Sequence, residues 1–166
     1  AWAGAGRPRW VLAAGGARNP WAAMPNRRWP SSRFLALAAA ARARGIALRW
    51  VGSAEDRLEP GVEDCCGRLS LRHTAAVIAA SDLVIGNDSL PLVMAHALGR
   101  AALGLYGPTD ARSIHAPGQP FLQGQAGCGP CYDSRHGGRG RAYRCPRARC
   151  MEQISVQHVV QEAWHA

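Results

Sequence analysis

The stretch Asp82-Leu83-Val84-Ile85-Gly86-Asn87-Asp88-Ser89-Leu90-Pro91-Leu92, running on to Gly99, holds one complete structural sentence. Asp82 to Ile85 is an apolar run of strand length. Asn87, Asp88 and Ser89 form the turn, and Pro91 sits where a helix can accept a residue without an N–H. Leu92 to Leu98 continue as a helix, which Gly99 closes. Strand, tight turn and helix in this order are the first two thirds of a βαβ unit.

The same grammar extends in both directions. Upstream, Ser70 caps a helix whose Leu71, Ala75, Ile78 and Ala79 recur along one face, and its end leads directly into Asp82. Downstream, Ala101 to Tyr106 is another strand. Nearer the N-terminus, Arg9 to Ala13 is a short apolar run closed by Gly15 and Gly16. A loop of Asn, Pro, Arg and Trp follows, and Ser31 then offers the N-cap of a helix carrying Phe34, Leu35, Leu37, Ala38 and Ala41. Gly45 ends that helix, and Ile46 to Val51 is the next strand, stopped by Gly52. Four strands alternating with helices imply right-handed crossovers, a parallel sheet and helices on both faces, which is a Rossmann-like α/β fold. Residues 1–166 read as a single nucleotide-binding domain. Within it, 107–150 form an irregular segment rich in Cys, Arg and Gly. The last helix, Ser155 to Trp164 with Val156, Val159, Val160 and Ala163, is expected to pack back on the domain. No internal repeat is visible.

A chain of 166 residues suits one domain with an adequate core. Its net charge of +9 comes entirely from Arg, since there is no Lys. Such a surplus favours phosphates, acidic lipid surfaces or nucleic acid as partners, with a solvated basic face as the plain alternative. The first residue is Ala1, so an upstream segment is expected. No apolar run reaches the roughly 20 residues of a membrane span, and no secretory leader opens the chain, which points to the cytoplasm. Six cysteines there read as thiols or metal ligands before disulfides.

In an open parallel sheet, ligands bind beyond the carboxyl ends of the strands. Three loops there carry suitable groups. In Gly15 to Trp29, paired glycines allow close backbone approach, and Arg18, Arg27 and Arg28 can meet phosphate oxygens. In Gly52-Ser53-Ala54-Glu55, a carboxylate just after a strand can accept bonds from ribose hydroxyls. Gly86-Asn87-Asp88-Ser89 presents free N–H groups and the positive end of a helix to an anion. Taken singly, each has an ordinary explanation: a turn, a solvated carboxylate, a helix cap. Their coincidence on one sheet edge favours a nucleotide.

The residues then resemble family 9 of the glycosyltransferases, the heptosyltransferases. The second domain of that family typically runs through a Gly-Ala-Arg loop, a Lys-Arg-Trp-Pro motif, a Val-Gly-Gly-x-x-Glu turn, a Gly-x-Thr-Ser-Leu helix start, an Asn-Asp-Ser-Gly-Pro-Met-His helix and a Tyr/Phe-Gly-Pro-Thr turn. The matching stretches here are Gly16-Ala17-Arg18, Arg27-Arg28-Trp29-Pro30, Val51 to Glu55, Gly67 to Leu71, Asn87 to Val93 and Tyr106 to Asp110, with Cys150 to Ser155 resembling the family's closing segment. The resemblance implies the C-terminal half of a GT-B enzyme, with the N-terminal acceptor domain absent from the chain. It further implies an ADP-heptose donor and a lipopolysaccharide inner-core acceptor held by the other domain. Transfer would be direct, with inversion and with no cofactor required, and the general base would lie on the other domain. Carried over by residue, Gly16, Arg18, Glu55, Asn87, Asp88, Ser89 and Leu90 form the donor site. Arg27 replaces the family's Lys as the cation that stabilises the leaving ADP. Two positions depart from the pattern: Leu90 stands where the family has Gly, and Val93 where it has His. His96, three residues on, is the one candidate to compensate.

Cys128-x2-Cys131 and Cys145-x4-Cys150, 13 residues apart, have a spacing that could hold structural zinc, with free thiols as the equal alternative. Cys65 and Cys66 read as buried small hydrophobes. The Arg-rich segment with Tyr132 and Tyr143 raises a different reading, an Arg-rich zinc ribbon binding nucleic acid. It accounts for the charge but not for the motif series, so nucleic acid is not the expected partner. Leu90 and Val93 raise a third reading, a degenerate, non-catalytic remnant of the family. Peripheral association with the inner face of the cytoplasmic membrane completes the expectations.

Overall fold

The structure, a computed structural model, describes residues 6–16, 24–58, 62–132, 145 and 147–166. The expectations for Arg18 and Tyr143 fall outside these residues. Among the described residues there are six strands: β1 Arg9–Ala13, β2 Ala47–Trp50, β3 Glu63–Asp64, β4 Leu83–Asn87, β5 Ala101–Tyr106 and β6 Phe121–Gln123. The helices are α1 Ser31–Ala43, α2 Leu71–Ala79, α3 Leu90–Ala97, α4 Ala111–Ile114, α5 Arg149–Gln153 and α6 Val156–His165.

All five strand pairings are parallel, in the order β3-β2-β1-β4-β5-β6. The chain winds outward to one side through β2 and β3, then returns to the middle and winds outward to the other through β5 and β6. The order therefore reverses between β1 and β4, whose register pairs Ala13 with Gly86. Where it reverses, the loops leaving the two strands part and open a crevice, the general ligand site of doubly wound sheets.

The central strands are buried on both faces because helices cover both, which is why they read as continuous apolar runs. On one side Leu12, Phe34, Leu37, Trp50, Ile85, Leu103, Met151 and Val159 form a core beneath α1 and α6. On the other, Val11, Ala13, Ile78, Val84, Leu92, Ala95 and Ala102 pack beneath α2 and α3. Along β1 the residues alternate between the two cores, Leu12 to one and its neighbours Val11 and Ala13 to the other, as the period of two requires.

The last helix does pack back. Trp164 of α6 meets Trp10 edge to face, with ring centroids 4.8 Å apart. Trp29 Nε1 donates to Ile154 O at 2.8 Å. Ser70 and Ser155 cap α2 and α6, accepting from the N–H groups of His73 and His158. Ser31 is instead the first residue of α1, with Pro30 in the cap position and no side-chain cap bond. Leu71, expected on the core face of α2, is 64% exposed. The stretch from Gly107 is also more ordered than its composition suggests: α4 and β6 both lie within it. β6 is held at the sheet edge by pairing with β5 and closed where Gly124 N–H bonds to Tyr106 O at 2.9 Å. A Cβ on Gly124 would lie 1.8 Å from Cys150 O, so only glycine lets β6 pass the start of α5. No helix among the described residues is long and apolar enough to cross a membrane.

Candidate functional site

The motif Arg27-Arg28-Trp29 enters the crevice from a short 3-10 turn at Pro25–Arg27 and ties the three strand-end loops together. Arg27 forms an ion pair with Asp88, in the turn after β4. Arg28 Nε donates to Gly16 O, in the loop after β1, at 2.8 Å, and Arg28 Nη2 pairs with Asp56, in the loop after β2. Trp29 N–H donates to Asn87 Oδ1 at 2.8 Å. Three consecutive residues thus reach loops that lie far apart along the chain.

Asn87 is the hub of this arrangement. It is 1% exposed, and its Nδ2 donates to Ala14 O at 2.8 Å and Gly15 O at 3.2 Å. Its amide is thereby spent on main chain and serves to position the β1 loop. Beside it, Ser89 Oγ donates back to Asn87 O at 3.0 Å, so α3 begins without a side-chain cap. Pro91 has no N–H and Leu92 N–H turns back to Ser89 O at 3.1 Å, so of the first turn of α3 the Leu90 N–H is the donor that faces outward along the helix start. Gly16 has φ of +117°, and a Cβ there would stand 2.8 Å from Ser89 Cβ, so the β1 and β4 loops touch.

Between these loops lies a cavity of about 290 Å³, lined by Gly15, Gly16, Gly52, Ser53, Asp56, Leu69, Leu71, Thr74, Ser89, Leu90 and Met94 among others. The apolar side chains come from α2, α3 and the loop before α2, and the polar groups from the strand-end turns. The carboxylate on its wall belongs to Asp56, whereas Glu55 is one step away, joined to it through the Ser53 hydroxyl. Ser53 Oγ stands 2.6 Å from Asp56 Oδ2 and 2.8 Å from Glu55 Oε2. Asp56 Oδ2 also accepts from Ser53 N–H at 2.9 Å. Burial pushes the Asp56 carboxyl up, but the two Ser53 bonds and the Arg28 charge outweigh it and hold the group below its ordinary pKa. Asp56 fits because two glycines leave room. A Cβ on Gly15 would lie 2.2 Å from Asp56 Oδ2, and one on Gly52 2.9 Å from Asp56 Cβ.

The expected site residues are distributed around this cavity. Gly16, Ser89 and Leu90 line it, Asp88 and Arg27 stand beside it, and Asn87 is buried behind it. The Arg27 guanidinium lies 5.5 Å from the Tyr132 ring centroid, and its charge acts on Tyr106, whose phenol burial pushes up to about 12. Leu90 and Val93 are 50% and 61% exposed. His96 does not compensate for Val93: its ring packs 4.8 Å from that of His115, and His115 in turn meets the ring of Phe121 in β6, so His96 faces β5 and β6. Burial lowers the pKa of both histidines. The residue that sequence reasoning missed is Asp56. Counting the resembling Val-Gly-Gly-x-x-Glu turn from Val51 lands on position 56, a signal present in the letters.

The cysteines gather elsewhere. Cys128, Cys131, Cys145 and Cys150 line one cavity of about 300 Å³ with Asn26, Pro108, Arg147 and Arg149. All are free thiols, and Cys145 Sγ donates to Arg147 O at 2.7 Å. Among the described residues, no three or more His, Cys, Asp or Glu side chains are placed so that they could hold a metal ion, and these four thiols share a cavity without converging on one point. Cys66 is buried, its thiol pushed up by burial to about 12, as an inert small hydrophobe should be.

The cavity at the point where the strand order reverses, with glycine loops, a buried carboxylate and a helix start without a side-chain cap, belongs to a doubly wound, Rossmann-like α/β domain. The chain belongs to glycosyltransferase family 9 (heptosyltransferase), whose sequence pattern it matches over residues 7–133. Its fold is similar to that of E. coli ADP-heptose lps heptosyltransferase II, with a TM-score of 0.73 and 21% identity, covering 98% of this chain and 47% of that one. It is also similar to E. coli heptosyltransferase WaaC with ADP-2-deoxy-2-fluoro heptose (TM-score 0.68, 18% identity, 96% of this chain and 43% of that one). A third similar structure is the bacterial iron-containing dodecameric glycosyltransferase TibC from enterotoxigenic E. coli (TM-score 0.75, 16% identity, 95% and 44%). The chain therefore spans a little under half the length of these proteins. No curated protein matches the sequence.

Proposed function

We propose that this chain is the donor-binding half of a heptosyltransferase-like glycosyltransferase, holding a nucleoside diphosphate sugar of the ADP-heptose class. The observation that carries this reading is the cavity at the reversal of strand order, where Asp56 and the uncapped start of α3 share one space. Asp56 would accept from the ribose hydroxyls, the apolar wall would face the base, and the main chain at Asp88 and Ser89 would donate to the diphosphate. Arg27 would neutralise charge growing on the departing ADP. WaaC and TibC have been solved with ADP-2-deoxy-2-fluoro heptose and ADP-D-beta-D-heptose respectively, which supports this donor class. In the whole enzyme, sugar would pass with inversion to a lipopolysaccharide inner-core acceptor on another domain, which would supply the base. The basic chain would work in the cytoplasm, against the inner face of the membrane.

Titration calorimetry tests the reading directly. ADP and ADP-heptose should bind this chain, with UDP and GDP at least about tenfold weaker, a difference of roughly 1.4 kcal/mol. Equal affinity for all three nucleotides would overturn the ADP-class donor, and no affinity for any would favour a degenerate remnant in which Leu90 blocks the diphosphate.

A second element of the proposal is a structural metal held by Cys128, Cys131, Cys145 and Cys150, favoured by their common cavity. Four thiolates suit zinc or iron in tetrahedral geometry, and burial with two neighbouring thiols keeps Cys150 protonated until a metal displaces the proton. One equivalent of zinc or iron in the purified protein is expected, with chelation lowering the melting temperature. Protein free of metal and indifferent to added zinc would leave four ordinary thiols.

A further inference from the structure

We propose that Arg28 is the positioning residue of the donor site, a cation that holds the Asp56 carboxylate in place and aimed at the ribose. This rests on the donor-site reading above and goes beyond it, since the adjacent arginines then have different tasks.

Arg27 and Arg28 are neighbours in sequence but meet different loops. Arg27 pairs with Asp88 at the mouth of the phosphate region. Arg28 turns into the protein, where its Nε bonds Gly16 O at 2.8 Å and its Nη2 pairs with Asp56 Oδ1. A guanidinium is a rigid plane with donors on fixed edges, so it can hold a carbonyl from one loop and a carboxylate from another in a single geometry. Those two loops are the walls of the cavity. Asp56 has a side chain only 5% exposed, and its Oδ2 is already committed to Ser53 N–H and Oγ. An ionised carboxylate so buried requires a compensating charge, and Arg28 is placed to supply it. Gly15 and Gly52 leave the space that this carboxylate fills, since a Cβ on either would collide with Asp56. With its charge answered by Asp56, Arg28 has little left for a phosphate.

Loss of Arg28 should therefore be felt at the ribose and not at the phosphates. The discriminating pair of ligands is ADP and 2′,3′-dideoxy-ADP, which differ only in the hydroxyls that Asp56 would accept from. Calorimetry on the wild-type chain should show ADP favoured by about 10- to 100-fold, the range for a hydrogen bond to a charged group. Arg28→Met should lose most of that preference while binding dideoxy-ADP as the wild type does. Arg28→Lys keeps the charge but cannot span Gly16 O and Asp56 in one plane, and should retain only part of it. It carries the same comparison should Arg28→Met fail to fold. A variant that keeps the full preference, or weakens both ligands equally as a phosphate contact would, overturns the assignment. A wild-type chain that binds ADP but shows no ribose preference overturns it too. Failure of the wild type to bind ADP at all removes the donor-site reading itself, before any variant is made.

Discussion

Asn87→Asp, an exchange that leaves the number of heavy atoms in the side chain unchanged, is expected to destabilise the fold by about 4 kcal/mol at pH 7. The amide Nδ2 that it replaces donates to Ala14 O and Gly15 O, and the new oxygen would face both carbonyls at 1% exposure. An ionised carboxylate cannot remain there, so it must take up a proton. At pH 7 that costs about three pH units above the usual Asp value at roughly 1.36 kcal/mol each. The sign follows from the protons bound. The folded variant has the raised pKa and holds a proton that the unfolded chain has released, so its stability falls as pH rises from about 4 toward the folded-state value. Urea midpoints across pH 4.5 to 7.5 should therefore diverge from the wild type by up to about 1.4 kcal/mol per unit. A deficit that does not change over this range would show that Asn87 is not pressed against those carbonyls.

The four strands legible in the sequence are those whose residues are nearly all buried, because such burial demands a largely apolar run, with Arg49 of β2 the one charge fully inside it. β3 and β6 could not be read this way. β3 is Glu63 and Asp64 alone, a strand only because Arg49 and Trp50 pair beside it, and β6 is three residues at the opposite edge. Leu71 shows the limit of periodicity in another way: the pattern places it on a face, but the first turn of α2 overhangs the cavity between the strand-end loops instead of the core. The step from Val93 to His96 turns about 300° at roughly 100° per residue, and the missing 60° is enough to carry the ring from the crevice side to β5. At the site, the loops themselves were legible as turns after strands, but the choice between Glu55 and Asp56 was made elsewhere. The 3-10 turn at Ala54–Asp56, capped by Ser53, points Asp56 inward, and the space it fills is set by a glycine 41 positions earlier. The role of Asn87 was hidden for the same reason, since its partners are main-chain atoms 58 to 73 positions away.

Arg27→Ala should weaken ADP binding by about 10- to 100-fold, corresponding to roughly 1.5–3 kcal/mol for a charged hydrogen bond, and leave adenosine affinity unchanged. The geometry sets the terms. Arg27 and Asp88 are 20% and 15% exposed as side chains, so their mutual attraction is only partly screened, and Asp88 sits on the turn that leads into α3. A diphosphate arriving at that turn brings about two negative charges beside an arginine already holding one, and the guanidinium can meet both through its several N–H donors. The stacking of Arg27 over Tyr132 keeps the fork in place while the partner changes. Arg27→Lys should recover part of the loss, because the charge returns but the planar fork does not. Raising salt from 0.05 to 0.5 M should narrow the gap between wild type and Arg27→Ala, since the advantage is electrostatic. Unchanged ADP affinity in Arg27→Ala, with a lowered melting temperature, would assign the pair with Asp88 to holding the loops together and leave the diphosphate to the main chain of α3.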